Sequence, residues 1–469
     1  MNLKLITSDF IKVCLANLFL FFSVYTLLPI TLIDISPFIE AKGYEGWLLI
    51  LTFIIAIIIG GPFHNYLIEH FNRKKICALS YLGIATSILV FVFSDQVIAL
   101  FTALALLGLS FGLATAASIT VAIDVTSPTN RDKGNVIYAY MGRIGMVLGV
   151  ATSIIICTEF GTQMVLYVSL ISILIAWLLI KITQHPFRAP IDTPTLSWDR
   201  FMLPRSWKII LFMTTIAFII GTTLPFLIQL LEKYTNSDLT IQAKLILIPF
   251  GIFTLSIILS ALEIFSLLRA QKSLFMGLRI IILISSLLFL FIYYKELSGI
   301  AVSLLVILIL ESAFLLYRIA KSKLIDVKLD KWDIESHIRL EVLAPVFSGL
   351  MYILLAHFIY LGTRMIPETA ILNPYILLIL LFGIARVSTP VFFLLILSAR
   401  HCERGTANTS HQIAWELGMA LGVLITAAFG LSASEVLYLN ILVFMVSILL
   451  FVLITYRIFK IVKQQSLNH

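Results

Sequence analysis

Two opposite charges sit deep inside long apolar stretches of this 469-residue chain, Arg143 and Glu416. Arg143 lies about eight residues beyond the charged turn that opens its stretch, or roughly 12 Å along a helix, and Glu416 lies at nearly the same depth in its own. An ionised side chain that far inside hydrocarbon costs several kcal/mol and cannot reach water by extending, so it marks a functional position. An arginine there can hold an anionic or polar group. A carboxylate there can take up a proton when dry and release it when wet, which is the chemistry that proton coupling requires.

The two charges are related by an internal repeat. The stretch RDKGNVIYAYMGRIGMVLGVATS from Arg131 aligns without gaps on RGTANTSHQIAWELGMALGVLIT from Arg404, at an offset of 273. Arg143 then falls on Glu416, Gly145 on Gly418 and Gly149 on Gly422. Charges at equivalent points of two halves can face one another across a shared cavity, each lowering the other's desolvation cost, or each can hold a private partner in its own half. Gly142, Gly145 and Gly149, echoed by Gly418 and Gly422, put small residues where helices can approach closely.

Three further charges lie within or at the end of apolar stretches. Arg386 stands four residues before Pro390, where a kink frees backbone carbonyls and admits water, so it suits an anionic or polar substrate group; a salt bridge to Glu311 is the alternative. Asp34, beside Thr31, closes the first stretch and is either a proton site or a cap in water. The order of candidates for the proton carrier is Glu416, then Asp34 and Glu311. His64 and His357 are read as hydrogen-bonded packing residues.

The elements that must position these residues are membrane helices. Sixty per cent of the chain is hydrophobic and only 12% charged, where a soluble domain carries about 25% charged residues. The long unalternated runs exclude a β-barrel. Fourteen candidate spans lie near 10–34, 44–67, 76–94, 97–124, 135–158, 162–182, 207–231, 244–268, 274–293, 297–318, 342–362, 372–399, 409–430 and 434–458. With the N-terminus cytoplasmic, 26 Lys and Arg fall on the cytoplasmic side against 5 opposite, with Arg143 and Arg386 inside spans. The net charge of +8 is therefore an orientation signal, and nucleic-acid binding loses its support.

Two cytoplasmic connections stand out. The segment 184–206 carries Pro186, Pro190, Pro194 and Pro204 and suits a linker between bundles, while 320–341 alternates charges with Ile325, Leu329, Trp332 and Ile338 and reads as an interfacial helix or an ordered loop. Cys14, Cys77, Cys157 and Cys402 have no metal-ligand spacing and read as apolar fillers. The chain has no GxxxxGK[ST] loop and no HExxH motif, so no enzyme chemistry and no cofactor are expected, and an ion gradient is the remaining energy source.

The loop GGPFHNYLIEHFNRKK after the second span resembles the signature of the major facilitator superfamily. Gly61, Glu69, Arg73, Lys74 and Lys75 sit on its positions, with Glu69 for the usual aspartate and Asn72 for the usual second glycine, a residue that tolerates positive φ. The resemblance implies an all-α polytopic fold and places Gly61, Glu69, Arg73 and Lys74 in a cytoplasmic latch between halves. Fourteen spans imply the branch with two extra helices: a six-helix bundle over 1–183, the linker 184–206, two inserted helices over 207–268 and a second bundle over 269–469. That branch is rich in drug:proton antiporters, although Leu104 and Val150 stand where antiporters carry arginine and proline. The expectation is a monomeric secondary transporter in a bacterial cytoplasmic membrane, both termini cytoplasmic, exporting a small amphipathic compound in exchange for protons. Proton-coupled import of an anionic metabolite, and a non-transporting sensor or scaffold, are the alternatives.

Overall fold

The structure is a computed structural model that describes residues 7–30, 46–94, 96–126, 131–184, 206–235 and 404–467, with isolated positions between these stretches. Nine helices run through the described residues. They are α1 (Ser8–Ile30), α2 (Trp47–His70), α3 (Arg73–Phe93), α4 (Val97–Asp124), α5 (Arg131–Phe160), α6 (Thr162–Ile182), α7 (Trp207–Thr235), α8 (Arg404–Ala428) and α9 (Ala433–Leu467). Five stretches of them are long and apolar enough to cross a membrane: Ser8–Leu27, Arg73–Phe93, Val97–Asp124, Thr162–Ile182 and Glu435–Leu453.

Local sequence explains where these helices start and stop. Asn72 caps α3, its Oδ1 accepting from the backbone N–H groups of Lys74 and Lys75, at φ −67° and ψ 116°. Asparagine therefore serves here as an N-cap on extended backbone, and the tolerance of positive φ expected of it is not used. Gly161 (φ 82°) follows α5, and Gly430 (φ 55°) follows α8. At Gly430 the N–H groups of Gly430 and Leu431 return to the carbonyls of Ala427 and Thr426, the double closure that a left-handed glycine allows at a helix end. Glu435 then accepts from the N–H of Ser432, starting α9 as a capping box.

Residues 1–250 with 394–451 form one compact unit, and residues 251–393 with 452–469 form a second. In the first, α1 packs on α5 and α6, α4 on α2 and α3, and α8 on α7. Two of these seams are built alike. A Cβ on Gly145 would strike the carbonyl oxygen of Leu18, and one on Gly149 that of Phe22, so α5 lies backbone to backbone on α1. On the other seam, Gly418 meets the carbonyl of Thr214 and Gly422 that of Phe218. The glycines differ by 273 in number and their partners by 196, so α7 stands to α8 as α1 stands to α5. The same step of 196 sets Lys12 on Lys208 and Pro29 on Pro225. The first of the two helices expected as an insert over 207–268 thus packs as a counterpart of α1.

Buried polar links add to the seams. Ser23 on α1 bonds to Ser169 on α6, and Thr222 on α7 donates to Oδ1 of Asn440 on α9 at 2.7 Å. The linker is tied at both ends. The N–H of Gln184 donates to Asp9 at the start of α1, and that of Leu203 to Oγ of Ser410 on α8. Apart from four positions of that linker, the proline-rich segment lies outside the described residues, as do 320–341 and the second expected inserted helix.

Candidate functional site

The glycine seams decide where the two buried charges can point. Gly418 and Gly422 turn one side of α8 toward α7, and a helix advances about 100° per residue, so Glu416 is rotated well off that side. It falls instead on the stripe of Ala420 and Val423, which forms a small apolar core with Ile50 and Ile54 of α2. Glu416 therefore belongs to the contact between α8 and the first six helices.

Glu416 is 3% exposed, and its Oε2 has no hydrogen-bond partner. One turn earlier, Nε2 of Gln412 is likewise buried without one. The Glu416 carboxylate acts electrostatically on Tyr25 of α1. Tyr25 stacks on Phe21 with ring centroids 6.1 Å apart, and both rings meet the edge or face of Phe111 from α4, at 6.4 and 5.3 Å. Phe53 of α2 lies on the other side of Phe111 at 6.0 Å. The four rings, drawn from three helices, form one aromatic group, and Glu416 lies within electrostatic range of its Tyr25 member.

Arg143 is half-buried on α5, one residue past Gly142, which abuts Asn17 and Phe21. Its guanidinium acts electrostatically on His411 of α8, whose ring stacks on Trp415. Residues 411 and 416 lie about 140° apart around α8, so the histidine that Arg143 influences and Glu416 stand on different sides of that helix. His411, Gln412 and Tyr25 were not among the residues that charge within spans singles out. Only their position one turn or so from a deep charge, and the Phe21/Tyr25 spacing of four on α1, hinted at them.

A second ionic cluster ties the ends of three helices. Arg73, first residue of α3, holds both oxygens of Glu69 with one nitrogen at 2.6 Å, and the carboxylate of Asp124 with the other at 2.9 and 3.1 Å. Arg73 and Glu69 side chains are 11% and 13% exposed and that of Asp124 is 0%. Both acids stand at helix C-termini, where the backbone dipole disfavours negative charge, so Arg73 is what makes them tenable together. Lys74 donates to the carbonyl of Thr183 just past α6 at 2.7 Å. Gly61 is buried in α2, upstream of this cluster. Asp124 is the sequence's missed member, signalled by being the one charged residue in the 28 residues of α4. His64 is buried, packed against Gly60 and Gly112, and its Nε2 has no hydrogen-bond partner, unlike the satisfied packing residue expected. Arg386, Glu311, Asp34 and His357 lie outside the described residues.

The family model of the Major Facilitator Superfamily matches residues 13–322. Among solved structures, the human organic anion transporter MFSD10 (TETRAN) is similar at 16% identity and a TM-score of 0.59, covering 95% of this chain and 100% of that one. A bacterial homologue of the iron transporter ferroportin in its outward-facing state is similar at 12% identity and a TM-score of 0.54, covering 96% and 100%. No curated protein matches the chain. At these identities the likenesses concern the fold.

Proposed function

This chain belongs to the Major Facilitator Superfamily and is a membrane transporter rather than an enzyme, and from that premise we propose that it is a secondary active transporter working by alternating access, coupling proton entry to efflux of a small amphipathic compound. The observation that carries this reading is Glu416, a carboxylate buried where α8 meets the first six helices, with an oxygen that no protein group satisfies. Such a group is costly when charged and dry, and tenable when a proton, substrate or water reaches it. Transport that alternately wets and seals this contact gives Glu416 the change of surroundings that coupling needs.

Under this reading Glu416 carries the proton, Tyr25, Phe21, Phe111 and Phe53 receive the apolar body of the substrate, and Arg143 with His411 lines the polar side. Arg386, Glu311 and Asp34 are further candidates along the pathway. The Arg73 cluster acts as the cytoplasmic latch by fixing the ends of α2, α3 and α4 as one body that can meet or leave the other half. The repeated seams support α7 as the first helix of the second half, so that the two extra spans of a fourteen-span chain fall between 236 and 403. The charge bias supports cytoplasmic termini; a bacterial cytoplasmic membrane and a monomeric working unit belong to the same proposal.

Import of an anionic metabolite is the second reading, favoured by the half-buried Arg143 beside His411. Flux in sealed vesicles under an imposed pH gradient separates them. Efflux-type exchange of an amphipathic compound for protons, lost in Glu416→Gln while substrate–substrate exchange persists, is the expected result. Gradient-driven flux unchanged in Glu416→Gln removes the proton from this residue, and no flux of any compound class favours a sensor on the same fold.

A further inference from the structure

Away from the buried charges, α3 and α6 pack along one another and each keeps an apolar ridge uncovered. Leu79 and Leu82 are exposed on α3, and Leu174 and Leu178 on α6. In both helices the ridge runs into an exposed lysine at the same end of the pair. Lys75 stands one turn before Leu79, and Lys181 follows Leu178 by three residues. The two lysines are also held in place. Lys74 donates to the carbonyl of Thr183 at 2.7 Å and so clamps the first turn of α3 to the end of α6. The Lys181 ammonium lies 5.4 Å from the centroid of the Trp177 ring, a cation–π contact that fixes its direction. Packed helices lie about 8–10 Å apart, so both lysine side chains can reach one oxyanion placed between them.

The acids at this end are already engaged. Arg73 holds Glu69 and Asp124, while Asp9 accepts from Lys12 and from the N–H of Gln184. Among the described residues neither Lys75 nor Lys181 is in an ion pair. The opposite end of the same helix pair is different: α3 ends in Val92 and Phe93, and α6 begins with Thr162, Gln163 and Met164, without a charge. Cations therefore mark one leaflet, the one that the basic bias places toward the cytoplasm. We propose that Lys75, Lys181 and Trp177 form a binding site for an anionic phospholipid, its phosphate held by the two ammonium groups and its acyl chains lying along Leu79 and Leu178. A zwitterionic lipid brings its own cation to the phosphate and gains less from two lysines. A soluble phosphate has to leave water for lysines that open onto hydrocarbon, whereas a lipid carries its phosphate at that depth already.

Binding is read here without flux, so a failed lipid site leaves the transporter reading standing and an absence of flux leaves the lipid site standing. The purified full chain in a neutral detergent is titrated with phosphatidylglycerol or with phosphatidylcholine of the same acyl chains, and bound lipid is counted by native mass spectrometry. Phosphatidylglycerol is expected to bind about tenfold more tightly. The double variant Lys75→Gln, Lys181→Gln is expected to bring it down to the level of phosphatidylcholine. Lys208→Gln removes a lysine that lies over Trp207 at 5.6 Å on another helix, and is expected to keep the preference. Equal binding of the two lipids by the parent chain overturns the site, as does a preference that survives the double variant or is lost equally in Lys208→Gln. Glycerol phosphate that displaces phosphatidylglycerol at matching concentration overturns the lipid as the occupant; retention of the lipid under that challenge is the expected result.

Discussion

The α1/α5 seam and the α7/α8 seam are one piece of construction used twice with different furniture. In each, two glycines one turn apart admit a neighbour's carbonyls: Gly145 and Gly149 take Leu18 and Phe22, Gly418 and Gly422 take Thr214 and Phe218. Two residues before the first glycine of each pair, the first seam carries Arg143 and the second Glu416. Five residues before those charges stand Tyr138, whose carbonyl accepts from Asn17, and His411, which stacks on Trp415. Backbone packing needs only small residues and is blind to the charge next to them, so it was kept on both sides while the polar groups were free to diverge. The comparison assigns the glycines to architecture and leaves the non-matching polar residues as the candidates for function.

The sharpest way to break the equivalence is at its contact points. Leucine at Gly145 or at Gly418 has no room beside the opposing carbonyl and is expected to abolish the monodisperse folded protein in fluorescence-detected size-exclusion chromatography. Alanine at either should lower the apparent Tm in the same assay after heating. One seam accepting alanine without a shift would show that the resemblance is only of spacing.

The charges come next. Exchanging them, with Arg143→Glu and Glu416→Arg together, leaves the sum of charge unaltered but sets each beside the other's neighbours. Driven flux in vesicles is expected to stay lost in the double variant, because the aromatic group remains on the Glu416 side and His411 on the Arg143 side. Recovery of flux would instead mean that the two positions act as one pair, and that the differing surroundings do not matter.

A third comparison sets the buried ion cluster of the first six helices against the uncharged links between helices. Asp124→Asn leaves Arg73 half satisfied in a site where Asp124 itself has no exposure, and breaking a buried pair from one side costs about 3–5 kcal/mol. A chemical-denaturation midpoint within error of the parent would mean that water already reaches the cluster. The smallest effects belong to the neutral links. Ser23→Ala and Thr222→Val each remove a buried hydrogen bond and are expected to cost about 1 kcal/mol apiece; equal losses sharpen the correspondence of the seams.

Much of this was legible in the chain, and the reasons are physical. Apolar length and the one-sided distribution of lysine and arginine report on the bilayer directly, because water and lipid impose them residue by residue. The repeat around GMxLGV showed because close helix contact restricts both seams to the same small residues. The position of Asp124 did not show, since a partner 51 residues from Arg73 is chosen by how helix ends meet. Tyr25 was hidden for a related reason: an aromatic in an apolar helix looks like filler until a carboxylate from another element comes to rest near it. That α7 packs on α8 as α1 packs on α5 did not show, although its sequence carries Lys208 and Pro225 in step with Lys12 and Pro29, because counting spans in order fixes their number and says nothing of which helix each one resembles.

The glycine seams also set a timetable for biogenesis. Leu18 leaves the ribosome long before Gly145, and the stretch from Thr214 to Gly418 is longer than that first interval by more than half. At roughly 5–20 residues per second the first helix waits on the order of ten seconds in the membrane for its mate. During that wait the grooves destined for glycine lie open to lipid, with Asn17 and Thr26 exposed beside them. The later seam stays open longest, which makes the newly inserted α7 the natural client of whatever assists membrane insertion in the cell.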